Sequence, residues 1–183
     1  RLGAFVRRLH DLPVPPGLAL PRRTCPVDAG EEVRELLERH AGRPAADPVA
    51  AGMIDLLDAR RGDIACIVER AGILARDLRG EPRRVVPCHT DLHAGNVLAT
   101  ATGDLYVVDW DDLALAPPER DLMFIGAGVG GVWNRSEEGR LFYRGYGPAE
   151  VDERAIACCR YERILEDVAA FGRHVLLSGR RDD

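Results

Sequence analysis

Cys88-His89-Thr90-Asp91-Leu92-His93-Ala94-Gly95-Asn96 is the stretch on which the reading of this chain turns. Short apolar runs bracket it: Val85-Val86-Pro87-Cys88 leads in, and Asn96-Val97-Leu98-Ala99 leads out. A third run, Leu105-Tyr106-Val107-Val108, lies beyond the turn residues Thr102-Gly103-Asp104. The last two runs therefore predict a β-hairpin. Asp109 follows that hairpin, 13 residues after Asn96. Taken singly, an aspartate and an asparagine between strands are turn residues bonding their own backbone. Only the joint spacing of His89, Asp91, Asn96 and Asp109 lifts them above that reading.

Outward from this element the chain reads as helical. Leu2, Phe5, Val6 and Leu9 share one face of a first helix, which Pro13, Pro15 and Pro16 stop. Glu31–His40 carries Val33, Leu36 and Leu37 inward, and Asp47-Pro48 reads as a cap followed by a first-turn proline. A further helix runs from Gly62-Asp63 to about Leu78. After Pro117-Pro118 helices are expected over Glu119–Ile125, Ser136–Tyr146 and Val151–Leu177. In the last, Tyr161, Ile164, Leu165, Val168, Phe171 and Val175 are expected to form one apolar stripe. The fold class is α+β, mainly helical, with a small β element in the middle.

Composition narrows the function. The 183 residues suffice for a sizeable core. No apolar run approaches the ~18 residues that span a bilayer, so no membrane partner is expected. A net charge of -5 without a basic stripe argues against a nucleic-acid partner. All 25 basic residues are arginine, so any step needing a lysine cannot be completed by these residues. Five cysteines without C-x-x-C spacing read as buried thiols in a reducing, cytoplasmic setting. The opening Arg1-Leu2-Gly3 lacks an initiator methionine and reads as the middle of a longer chain.

His89-x-Asp91-x-x-x-x-Asn96 resembles the kinase catalytic loop H-R-D-x-x-x-x-N, and Val108-Asp109-Trp110-Asp111 stands where kinases carry D-F-G. The form His-x-Asp-Leu-His-x-Gly-Asn, with an aspartate-tryptophan pair, resembles the aminoglycoside phosphotransferase and choline kinase superfamily. The resemblance extends from Leu9-His10-Asp11-Leu12-Pro13 to Glu119-Arg120-Asp121-Leu122 and the region of Tyr161-Glu162-Arg163. Gly145-Tyr146-Gly147 and Tyr161–Asp167 most resemble the spectinomycin- and hydroxyurea-type antibiotic kinases. By this resemblance residues 1–183 are the carboxy-terminal, catalytic and substrate-binding lobe of a protein-kinase-like fold. The amino-terminal lobe, with its nucleotide-binding lysine, is absent from the sequence.

The resemblance implies an ATP- or GTP-dependent O-phosphotransferase using Mg²⁺ and acting on a small hydroxylated, amine-bearing molecule. Asp91 would be the catalytic base, since phosphoryl transfer needs a carboxylate to orient the attacking hydroxyl and take its proton. Asn96 and Asp109 would hold Mg²⁺, an ion that takes hard oxygen ligands and few protein carboxylates. His89 would order the loop. A zinc reading of His89-x-Asp91-x-His93 fails for want of further ligands at suitable spacing. Asp111 and Asp112 read equally as a support for the metal or as a solvated turn. Asp121 is expected to cap or pin the following helix through a buried bond and not to touch substrate. Glu162 and Glu166, one turn apart, form either a solvated face or an acidic wall for a cationic substrate.

Gly126–Gly131 lacks the strand and the Lys-Ser/Thr of a phosphate loop and reads as a connection. Other readings stay open: another kinase of the superfamily acting on choline, a sugar or an amino-acid alcohol, or a non-catalytic domain keeping the shape. As a lobe without its partner, the chain is expected to be inactive alone.

Overall fold

In the computed structural model, residues 1–23, 28–126 and 135–177 are described. The chain divides into two units. The first comprises Arg1–Thr24 and Gly80–Arg160, and the second Cys25–Arg79 and Tyr161–Asp183.

The first unit begins with α1 (Leu2–His10), whose buried residues Gly3, Val6, Leu9 and His10 recur at helical spacing. Four short strands follow: β1 (Val86–Cys88), β2 (Val97–Ala99), β3 (Leu105–Val107) and β4 (Ala114–Ala116). The expected hairpin is β2–β3, antiparallel, with Val97 opposite Val107. β1 pairs with β4, Pro87 opposite Leu115. A proline is tolerated there because Leu115 turns its backbone the other way. Its amide donates to Pro21 O (2.8 Å) and its carbonyl accepts from Arg23 N (2.9 Å), so no ladder bond asks for a Pro87 N–H. Three residues reading Ala-Leu-Ala carry little strand propensity, and the sequence reading had not assigned β4. The partner strand specifies it.

Helices α5 (Glu119–Leu122), α6 (Ser136–Tyr146) and α7 (Glu153–Leu177) complete the set in this part of the chain. α5 is shorter than expected. Its end is held by Arg160, whose guanidinium donates to the carbonyls of Met123 (2.7 Å), Ile125 and Gly126 (both 3.1 Å). The core of the unit gathers Val6, Leu92, Leu122, Met123, Phe124, Phe142, Tyr146 and Ile156. Residues 127–131 of the glycine segment lie outside the described residues.

α1 and α6 approach closely at Gly3. A Cβ there would run into the carbonyl oxygen of Phe142 and lie 2.7 Å from the amide nitrogen of Tyr146. Backbone cannot give way as a side chain can. Gly3→Ala should therefore lower the unfolding free energy by about 2 kcal/mol despite alanine's better helix propensity. Gly52→Ala is the control, since its Cβ would meet nothing within 4 Å, and should stabilise by up to ~1 kcal/mol. Thermal denaturation of the two variants checks the contrast.

The second unit holds α2 (Asp28–His40), α3 (Pro48–Ala59) and α4 (Arg61–Leu78). The Asp47 cap is present, its carboxylate accepting from Ala50 N at 2.9 Å. Val33, Leu36, Leu37, Ile54, Leu57, Ile64 and Val68 pack with Leu165, Ala169 and Leu176 of α7. The expected apolar stripe of α7 is met in part: Leu165 is buried, and Tyr161, Val168 and Val175 lie half-buried against this core. Phe171 departs from it at 64% exposed, and the most buried positions of α7 in this unit are Glu162, Leu165, Ala169, Gly172 and Leu176. Small residues and an acid build that face because α2 comes close: a Cβ on Gly172 would press into the Leu36 side chain. Among the described residues no helix is long and apolar enough to cross a membrane.

One ionic cluster gives the first unit an acid-sensitive element. Asp152 sits 2.8 Å from Arg83 and 3.1 Å from Arg154. Hydrogen bonding from Arg83, followed by Arg154, holds its carboxyl well below the ordinary value of 3.8. A carboxyl depressed on folding contributes stability that is complete above its unfolded pKa and lost as pH falls toward its folded one. Asp152→Asn should flatten the fall in stability below about pH 4 and reduce stability at neutral pH. Denaturant titrations at several pH values check both.

Candidate active site

The loop from His89 to Asn96 is fixed at three levels. Leu92, fully buried, anchors its middle in the core. His93 Nδ1 accepts from Gly95 N at 3.0 Å and so starts a 3₁₀ turn over Ala94–Asn96. Asp121, also fully buried, reaches back from α5: Oδ2 accepts from His89 N (3.0 Å) and Oδ1 from Thr90 N (2.7 Å). The expectation that Asp121 would cap or pin the following helix is therefore corrected. It is buried as expected, but its bonds hold the amides just before Asp91.

Those bonds hold a strained backbone. Thr90 has φ 71° and Asp109 φ 66°, both left-handed, and Thr90 is β-branched. Such a conformation costs on the order of 1–3 kcal/mol and persists only where the surroundings over-determine it. The two non-glycine residues of positive φ among those described thus flank or occupy the predicted site.

His89 and Asn96 join Asp91 to Asp109. His89 Nε2 donates to Val108 O (2.9 Å), the carbonyl preceding Asp109, while Nδ1 accepts from Asp91 N (3.3 Å). One neutral tautomer satisfies both bonds. With both ring nitrogens engaged, His89 has none left for zinc. Asn96 accepts from Val108 N at its backbone oxygen (3.0 Å) and donates from Nδ2 to Asp91 O (2.9 Å). Asp91, Asn96 and Asp109 therefore meet at the adjoining ends of β2 and β3. The amide nitrogen being used, Oδ1 is the Asn96 atom that remains to accept. That oxygen and the exposed Asp109 carboxylate are both hard donors of the kind Mg²⁺ takes.

Two neighbours of the loop were not foreseen. His93 Nε2 lies 3.6 Å from Asp91 Oδ2, which makes it a companion of that carboxylate. The Trp110 ring stands over His89 with centroids 4.7 Å apart, and its Nε1 donates to Val107 O (2.9 Å). The aspartate-tryptophan pair thus uses its aromatic member to brace the histidine. Asp112 is engaged structurally, its carboxylate 3.1 Å from Arg23 and its carbonyl accepting from Thr90 Oγ1 (2.9 Å). Asp111 is exposed.

Glu162 and Glu166 belong to the second unit. Glu162 is 4% exposed and Glu166 half-buried, so this part of α7 is not a solvated face. Arg163 pairs with Asp167 at 3.1 Å as its spacing implies.

A kinase-like α+β fold with a loop of this kind defines a class, the phosphotransferases. The phosphotransferase enzyme family matches residues 1–158, and the chain belongs to that family. Among solved structures, spectinomycin phosphotransferase APH(9)-Ia in complex with ADP and spectinomycin superposes with a TM-score of 0.92 at 35% identity, over 98% of this chain and 55% of that one. Aminoglycoside phosphotransferase APH(3'')-Id from Streptomyces rimosus gives 0.59 at 23% identity, over 90% and 60%. A choline/ethanolamine kinase family protein from Mesorhizobium loti gives 0.62 at 21%, over 100% and 55%. The latter two likenesses are of fold alone. The chain thus spans little more than half the length of the solved structures it matches. A search of curated protein sequences gave no match.

Proposed function

We propose that this chain is the catalytic and substrate-binding lobe of a small-molecule kinase. It would act with an amino-terminal nucleotide lobe to move the γ-phosphoryl group of ATP or GTP onto a hydroxyl of an amine-bearing antibiotic of the spectinomycin kind. The observation that carries the reading is the hydrogen-bonded linkage, through His89 and Asn96, of Asp91 to Val108, the residue before Asp109, in a chain 35% identical to a spectinomycin phosphotransferase over 98% of its residues.

In this reading Asp91 accepts the proton of the attacking hydroxyl as its oxygen bonds to the γ-phosphorus and the bond to the nucleoside diphosphate breaks. Asn96 Oδ1 and the Asp109 carboxylate would hold Mg²⁺, which when bound offsets phosphate charge. His89 keeps the peptide before Asp109 and the amide of Asp91 in a fixed relation. Since positioning and electrostatic stabilisation supply nearly all phosphoryl-transfer catalysis, residues 1–183 alone should transfer phosphate negligibly.

Glu162 and Glu166 are proposed as the acids that favour a cationic substrate. Glu166, the more accessible, is the one to test: Glu166→Gln should raise KM for an amine-bearing substrate severalfold and leave kcat nearly unchanged. The function itself is tested by incubating the full-length protein with Mg-ATP or Mg-GTP and a panel containing spectinomycin, aminoglycosides, choline and simple sugars. Phosphorylation of spectinomycin or an aminoglycoside supports the reading. Phosphorylation of choline or a sugar alone would shift it to another kinase of the superfamily, and nucleotide binding without any product would favour a binding domain.

A further inference from the structure

We propose that Tyr146, remote in sequence from the loop, is a positioning residue that acts on Asp91 through His10 and Asp121. The inference rests on the reading of Asp91 as the catalytic base.

The three side chains form a buried line. Tyr146 is 3% exposed, His10 1% and Asp121 0%. Tyr146 Oη lies 2.8 Å from His10 Nδ1, and His10 Nε2 lies 3.0 Å from Asp121 Oδ2. That same Oδ2 accepts from His89 N, and its partner Oδ1 from Thr90 N. The line runs from α6 through the end of α1 to α5, and ends on the strained peptide one residue before Asp91.

The proton arrangement follows from the chemistry of each group. The Asp121 carboxylate 3.0 Å from Nε2 calls for the imidazole hydrogen there and leaves Nδ1 to accept, and the Tyr146 hydroxyl, which burial pushes up to about 12, keeps its proton and donates to it. An imidazole accepting at Nδ1 carries its hydrogen on Nε2 when neutral, which is the atom facing Asp121. The carboxylate then receives three N–H donors: one imidazole and two backbone amides. Without the phenol, Nδ1 becomes a buried acceptor lacking its donor, and the ring loses the bond that fixes its setting. Any turn of the ring takes the Nε2 hydrogen off the Asp121 oxygen that it reaches at 3.0 Å. Losing that donor loosens the group that holds the His89 and Thr90 amides. Sequence inspection gives no sign of this, because Tyr146 and His10 are separated by 136 positions.

The test uses the full-length enzyme labelled with ¹⁵N at histidine. In the wild type, His10 should show a single neutral tautomer, with hydrogen on Nε2 and a bare Nδ1. Hydrogen on Nδ1, or a doubly protonated ring at neutral pH, would overturn the proposal. Tyr146→Phe should move the His10 Nδ1 resonance to that of a nitrogen without a hydrogen-bond donor and lower kcat about tenfold, with KM for nucleotide and acceptor changed less than twofold. In a His10→Gln background, where an amide replaces the imidazole donor, Tyr146→Phe should cost nothing further. Unchanged kcat, or an equal loss in both backgrounds, would also overturn it. Should Tyr146→Phe fail to fold, 3-fluorotyrosine at position 146 must shift the His10 Nδ1 resonance, and no shift would refute the contact. The spectra are read without turnover, so absence of phosphotransfer would overturn the function proposed above and leave them to decide the relay.

Discussion

Asp91→Asn in the full-length enzyme should lower kcat by about 10²–10⁴-fold, the usual worth of a positioned general base, while KM for the nucleotide stays within about twofold. The expectation rests on separable duties. The loop is held by groups other than the Asp91 carboxylate. Its amide goes to His89 Nδ1, its carbonyl receives Asn96 Nδ2, and Leu92 beside it is fully buried. Replacing the carboxylate with an isosteric amide removes the proton acceptor and leaves those anchors in place. Steady-state kinetics with circular dichroism of the variant check this. Turnover equal to wild type would remove Asp91 from the mechanism.

Asp109→Asn should have an effect as large through a different parameter. The residue is exposed and its backbone is already left-handed, a conformation that asparagine tolerates about as well as aspartate. The fold should therefore survive, with a change in unfolding free energy of less than about 1 kcal/mol. Loss of the charged oxygen ligand should raise the Mg²⁺ concentration needed for half-maximal activity by tenfold or more. Asn96→Ala removes the second ligand but also the bond to Asp91 O, so it should impair kcat as well as metal dependence. Activity measured against Mg²⁺ concentration separates the two variants.

The site was legible where its residues are close in sequence. His89, Asp91 and Asn96 lie on one loop, and Asp109 follows the hairpin that leads out of it. Local spacing therefore carried the hairpin, the Asp47 cap and the four residues that the structure brings together. Long-range choices left no such trace. β4 exists because it has a neighbour on each side, β1 on one and Pro21–Arg23 on the other, and Asp121 reaches amides 31 and 32 positions away. His10 stood within the opening stretch of the family resemblance but carried no sign of its partners. The α7 stripe holds at Tyr161, Leu165, Val168 and Val175 and fails at Phe171 for a related reason: close packing against α2 selects Ala169 and Gly172, whereas periodicity weights large apolar residues. Glu162 on that same face carries no sequence mark of burial.

The most direct test of the central claim is a crystal structure of the full-length enzyme with Mg²⁺, a non-hydrolysable ATP analogue and an amine-bearing acceptor. Asn96 Oδ1 and an Asp109 carboxylate oxygen should both lie about 2.0–2.1 Å from the same Mg²⁺ ion. The Asp91 carboxylate should stand about 2.6–3.2 Å from one acceptor hydroxyl, in line with the γ-phosphate. An ion bound without Asn96 or Asp109, or an acceptor hydroxyl beyond the reach of Asp91, would contradict the account.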